Sequence, residues 1–179
     1  LHSLDAIAGH VRYPVIRPHA PDAAFFAAVR DPIDRIVSNY FFVIRHRGID
    51  PDIYRADLRR GFDVFYERII RNEGRINLQS RFFADTALAR DAAEVIRSAY
   101  ALVWSSERTS EAWTTMKRII LERMGLDAGT EVPQVDRYVA PRSAHGDADG
   151  SRPESYRDFL GPDAVAAILR ENAEDLRLF

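Results

Sequence analysis

Along the chain, short continuous apolar runs alternate with stretches of helical period. The run Ala24–Val29 has no polar alternation, as expected of a strand buried on both faces, and stops abruptly at Arg30-Asp31-Pro32. Asp31 then suits a helix N-cap and Pro32 the first helical position. From there Ile33, Ile36, Val37, Tyr40, Phe41 and Ile44 recur on one face, which predicts an amphipathic helix. Helical period returns after Gly48, with Phe62, Phe65, Ile69 and Ile70, and again with Leu78, Phe82 and Phe83. Leu88–Ser98 predicts a helix with Leu88, Ala92, Val95 and Ile96 on one side, and Tyr100–Trp104 a second short buried strand. Thr109–Met124 predicts a helix closed by Gly125 in the C′ position. A last helix begins after Gly161-Pro162 and runs to the C-terminus, with Val165, Ile168, Leu169 and Leu176 inward.

The first 23 residues, dense in proline and histidine, read as short strand pieces and loops. Asp127–Arg152 is rich in Gly, Asp, Pro and Ser and reads as a long loop of the kind that often carries function. No internal repeat and no linker divides the chain, so residues 1–179 are expected to form one domain. Strands alternating with helices predict an α/β fold with a parallel sheet. Ligands of such sheets bind beyond the carboxyl ends of the strands, where the Arg30 turn would lie.

Composition narrows the function classes. At 179 residues, 46% hydrophobic and 29% charged, the chain is globular rather than disordered or fibrous. A folded chain of this length buries roughly 70% of its unfolded surface, enough for a sizeable core. The absence of cysteine excludes a disulfide scaffold, a thiolate zinc site and a cysteine nucleophile. A net charge of −2 gives no overall basic field for nucleic acid or an anionic membrane. No apolar run approaches the ~20 residues of a membrane span, and the start does not resemble a signal peptide, so a cytoplasmic protein is expected. Lys117 is the only lysine among 25 basic residues. Such an arginine bias suits planar anionic ligands and equally a GC-rich bacterial genome.

Two constellations could carry chemistry. A phosphate at the helix start after Arg30 would meet free backbone N–H groups and the positive end of the helix dipole, with Arg30 gripping it and Ser38, outside the apolar stripe, free to donate. The alternative is a surface arginine, a plain Asp31 cap and a solvated Ser38. Upstream, Gly9-His10-Val11-Arg12-Tyr13 holds a histidine whose ordinary pKa of about 6.5 suits a proton acceptor at neutral pH. Taken alone, His10 reads as an ordinary loop or core histidine.

The stretch AAFFAAVRDPIDRIVSNYFF resembles the 3′-phosphate-binding segment of sulfotransferases that use 3′-phosphoadenosine 5′-phosphosulfate (PAPS). More specifically, it resembles the carbohydrate branch related to heparan sulfate 2-O-sulfotransferase. That segment has an apolar strand, Arg-Asp-Pro, an Arg three residues on, a Ser three further and a Tyr two beyond it. Arg30, Asp31, Pro32, Arg35, Ser38 and Tyr40 fit. The resemblance implies a three-layer α/β/α fold with a central parallel sheet, similar to P-loop kinases. It implies that Arg30 and Ser38 hold the 3′-phosphate and that His10 acts as catalytic base. Arg12 would contact the substrate.

Weaker likeness continues in INLQSRFFAD, with Asn77, Gln79 and Arg81, in VWSSERTSEA, and in a closing helix with Asn-X-X-Asp. The loop holding Arg137, Arg142, Ser143 and Arg152 lies where that family closes over the nucleotide, which makes Arg142 and Ser143 candidate nucleotide contacts. The implied co-substrate is PAPS, with PAP as product, and the implied partner a hydroxylated acceptor, a glycan first. No metal is implied.

Two departures stand out. The branch has a second histidine two residues before its base, where this chain has Ala8. Its Pro-Lys-X-Gly-Thr-Thr-like loop, whose lysine stabilises the bridging oxygen, has no match, and Lys117 is mid-helix. That loop is expected upstream of Leu1. A non-catalytic PAP-binding relative, and a nucleotide kinase that would lack its Walker A loop, are the alternative readings.

Overall fold

A computed structural model describes residues 11–46, 58–127 and 159–179; side chains are described from 11–43 and from residue 60 onward within those ranges. Strand β1, Phe25–Val29, leads through Arg30 and Asp31 into helix α2, Pro32–His46, as the sequence predicts. The chain before β1 departs from expectation. Tyr13–Ile16 forms one helical turn (α1), with Pro14 in its first turn, and Arg17–His19 a 3₁₀ turn. Proline at a helix start costs no hydrogen bond, and this is how a proline-dense segment becomes helical rather than extended.

Helix α3, Leu58–Phe65, widens into a π-helical turn over Tyr66–Arg71. Helices α4, Leu78–Ala84, and α5, Ala89–Ala99, follow, then strand β2, Tyr100–Ser105. A 3₁₀ turn at Ser106–Arg108 opens α6, Thr109–Met124, which Gly125 closes in the left-handed conformation at φ 66°. The predicted closing helix is two: α7, Pro162–Glu171, and α8, Ala173–Leu178, broken at Asn172. The break turns the inward face. Leu176, expected inside, is exposed, while Asp175 is fully buried and Leu178 packs inward. Leu88, expected on the apolar side of α5, stands before that helix and is exposed.

The described residues form an α/β structure, mostly helical, with a two-stranded parallel sheet. The strands pair from Phe25 beside Tyr100 to Val29 beside Ser105, with a register shift after Phe25. Their carboxyl ends therefore lie side by side, and the Arg30 turn neighbours Ser106.

Two apolar clusters flank this junction. In the larger, Ile33, Ile36, Val37, Tyr40 and Val43 of α2 pack against Phe62, Phe65, Tyr66 and Ile70, with Leu160 and Ile168 closing the far side. Tyr40 sits at its centre, its ring 5.4 Å from Phe62 and 5.3 Å from Phe65. The smaller cluster joins Val29 of β1 to Phe83 and Ala92. Burying side chains of this size contributes about 1.5–3 kcal/mol each, so α2 is anchored along its length. Among the described residues no helix is long and apolar enough to cross a membrane.

Candidate functional site

Arg30 sits between the last residue of β1 and the cap of α2. Among the described residues the strand has no sheet partner beyond Val29, so the Arg30 backbone finds its hydrogen bonds elsewhere. Gln79 supplies both. The Arg30 N–H donates to Gln79 Oε1 at 2.7 Å, and Gln79 Nε2 donates to the Arg30 carbonyl at 2.8 Å. One carboxamide thus imitates a neighbouring strand and fixes the backbone from which the Arg30 side chain departs.

Asp31 caps α2 as predicted. Its Oδ1 accepts from the backbone N–H of Ile33 at 2.8 Å and of Asp34 at 3.2 Å, and Pro32 has no N–H. This corrects the expectation of free backbone donors at the helix start: a buried carboxylate already uses them. An anion near this turn must be held by side chains.

Two such side chains are at hand. Among the described residues, neither the Arg30 guanidinium nor the Ser38 hydroxyl has a hydrogen-bond or ion-pair partner, and both residues are half-buried. Ser38 is the seventh residue of α2, roughly 9 Å along the axis from the helix start. Side chains of a helix tilt toward its N-terminus, so the Cα–Cβ bond of Ser38 leans toward the Arg30 end of α2.

Arg35, on the same helix, is not available in this way. It is largely buried, its Nη2 3.6 Å from Asp175 Oδ2, and its Nε and Nη2 make no hydrogen bond. Burial pulls its guanidinium below the ordinary value, and the Asp175 carboxylate offsets part of that.

Behind Gln79 lies a polar junction that joins α4 to the C-terminal helices. Asn77, left-handed at φ 51°, accepts on Oδ1 from the N–H groups of Glu174 at 3.1 Å and Asp175 at 3.2 Å. Asp175 in turn accepts from the N–H groups of Gln79 at 3.0 Å and Ser80 at 2.8 Å, and from the Ser80 hydroxyl at 3.0 Å. The Asn77 N–H donates to Asn172 Oδ1 at 3.2 Å. The motif Asn77-X-Gln79 and the motif Asn172-X-X-Asp175 are therefore two halves of one structural unit. Periodicity could not find it, because its signal is four polar residues placed where an apolar face is expected.

Other predicted residues fall elsewhere. Arg12 is exposed; it forms an ion pair with Asp85, and its Nε donates to the Arg81 carbonyl at 3.4 Å. A substrate at Arg12 would compete with Asp85. His10, Arg142 and Ser143 lie outside the described residues, as do Arg137 and Arg152. A cleft of about 260 Å³ between α3 and α7 is lined by Phe62, Asp63, Tyr66, Arg71, Ala164 and Ile168 among others, and by none of Arg30, Ser38 or Gln79. Beside it Arg71 lies 5.2 Å over the Tyr66 ring and pairs with Glu67 and Glu171. Among the described residues no group of three or more histidines or carboxylates is placed to hold a metal.

Compared with protein-family models, with curated proteins and with solved structures, the chain matches none.

Proposed function

We propose that this chain is a PAPS-dependent sulfotransferase in which Arg30 and Ser38 grip the nucleotide's 3′-phosphate. The observation that carries the reading is an unpartnered, half-buried Arg30 side chain at the carboxyl end of a parallel sheet, its backbone held by Gln79, with a second unpartnered donor, Ser38, on the helix that follows. A phosphate takes charged hydrogen bonds from arginine and a further one from a hydroxyl, which are the two groups present. The resemblance of the Arg30–Tyr40 segment supplies the identity of the nucleotide, and with it the three-layer α/β/α architecture and its central sheet.

In this reading His10 takes the proton from an acceptor hydroxyl, and the acceptor oxygen bonds to sulfur. The bond from sulfur to the 5′-phosphate oxygen breaks, and PAP leaves. Such a base contributes about 10²–10⁴ in rate. Binding of the distant 3′-phosphate holds the reacting sulfur in place. The acceptor is a hydroxyl compound, with a glycan the first candidate, and Arg12, Arg142 and Ser143 are the remaining proposed contacts.

The test is calorimetric titration with PAP, 5′-AMP and ATP, repeated on Arg30→Ala. PAP is expected to bind about 100-fold more tightly than 5′-AMP, and the variant to lose most of that preference. Equal binding of PAP and 5′-AMP by the folded chain would sink the reading, and the Arg-Asp-Pro turn would then be a capped helix only.

A further inference from the structure

We infer that Gln79 is a positioning residue that sets selectivity for the 3′-phosphate without touching the ligand. The inference rests on the proposed grip by Arg30 and adds a residue that acts through the Arg30 backbone.

An arginine side chain has four rotatable bonds, and its reach is useful only if its root is fixed. At Arg30 the sheet no longer fixes it, since Val29 beside Ser105 is the last pair of the ladder. The α2 hydrogen bonds do not fix it either, since the first of them runs from the Arg35 N–H to the Asp31 carbonyl. Between strand and helix, the Arg30 N–H and C=O are held by the two hydrogen bonds from Gln79.

Gln79 is buried, and its own backbone N–H is held by Asp175. Its carboxamide is therefore anchored at both ends, and it presents an acceptor to the N–H and a donor to the C=O in the one orientation that satisfies both. No other side chain of similar length and charge offers that pair: glutamate lacks the donor and methionine lacks both. Losing the clamp leaves Arg30 attached but its backbone unheld, so the guanidinium must be ordered at the moment of binding. That ordering cost falls on a ligand that uses Arg30 and spares one that does not.

The experiment compares wild type with Gln79→Met and Gln79→Glu in calorimetric titrations with PAP and with 5′-AMP, each variant first checked for a cooperative thermal transition. Gln79→Met is expected to weaken PAP about tenfold and to leave 5′-AMP within twofold of wild type. Gln79→Glu is expected to behave similarly at pH 8. It should recover PAP selectivity, relative to wild type at the same pH, as the pH falls through the titration of the introduced carboxyl. A protonated carboxyl there presents one donor and one acceptor, as the amide does.

Wild type that prefers PAP while both variants keep that preference would overturn the role of Gln79 and leave the Arg30 grip standing. Variants that lose PAP and 5′-AMP equally would also overturn it, since a general loss of fold or pocket predicts that outcome. Wild type without a preference for PAP would instead overturn the grip, and the inference with it. Should Gln79→Met fail to fold, Gln79→Glu carries the same decision through its pH dependence.

Discussion

Asn77 and Asp175 cap each other's helices. The Asn77 carboxamide accepts the N–H groups that open α8, while the Asp175 carboxylate accepts those that open α4. Each removes donors that would otherwise be buried without partners, and Asp175 also faces Arg35 across the same junction.

Asp175 should be among the costliest single positions in the chain. Asp175→Ala removes the acceptor for three hydrogen bonds and leaves the largely buried Arg35 without a counter-charge. A loss of about 3–5 kcal/mol is expected in urea unfolding. Asp175→Ala combined with Arg35→Leu should lose less than the sum of the two single changes, because no charge is then stranded. A single-variant loss within about 0.5 kcal/mol of zero would contradict this account.

Asn77 combines a cap with a left-handed backbone, at φ 51° and ψ 42°. Asn77→Gly and Asn77→Ala both lose the side-chain bonds, at an expected cost of roughly 1–2 kcal/mol. Glycine adopts this conformation without strain, so the alanine variant should be the less stable of the two by about 1 kcal/mol. Equal stabilities by denaturant titration would mean that the backbone relaxes out of the left-handed region.

Alkaline pH should destabilise the chain through two tyrosines. Burial, with Tyr13 close by, pushes the Tyr100 phenol up to about 12, and burial, with its hydrogen bond to Glu171, pushes Tyr66 up as well. In both, the native state holds its proton more tightly than the unfolded state. The stabilisation is complete below the ordinary value of about 10 and is lost as the pH rises through the folded value. Unfolding free energy should therefore fall between about pH 10 and 12, and fall less steeply in Tyr100→Phe. A slope unchanged by that substitution would remove Tyr100 from the account.

Much of this architecture was legible in the chain. The apolar run before Arg30, the Asp31-Pro32 start and the spacing from Ile33 to Phe41 led directly to β1 and α2, because each is a local signal read within one or two turns. Thr109–Met124 and its Gly125 end were equally plain. What could not be read depends on partners far apart in sequence. Arg35 and Gln79 each stand in a segment that resembles a family motif, but their partners, Asp175 and the Arg30 backbone, are evident only in the structure. The break at Asn172 is similar: its side chain holds the Asn77 N–H and donates to the Ile168 carbonyl, ties that outweigh the continued helical period. Of the proposed site, the positions of Arg30 and Ser38 were legible, whereas the occupation of the helix donors by Asp31 emerged only from geometry.

The capping junction also orders events in time. Asp175 follows Arg35 by roughly 140 residues, which ribosomes add at about 5–20 residues per second, so the two meet on the order of ten seconds or more after Arg35 is made. Until then α4 has no carboxylate at its start, and the residue that clamps Arg30 has nothing holding its own backbone. The Gln79 backbone, and through its carboxamide the Arg30 turn, is therefore held from Asp175 only once that residue has been synthesised.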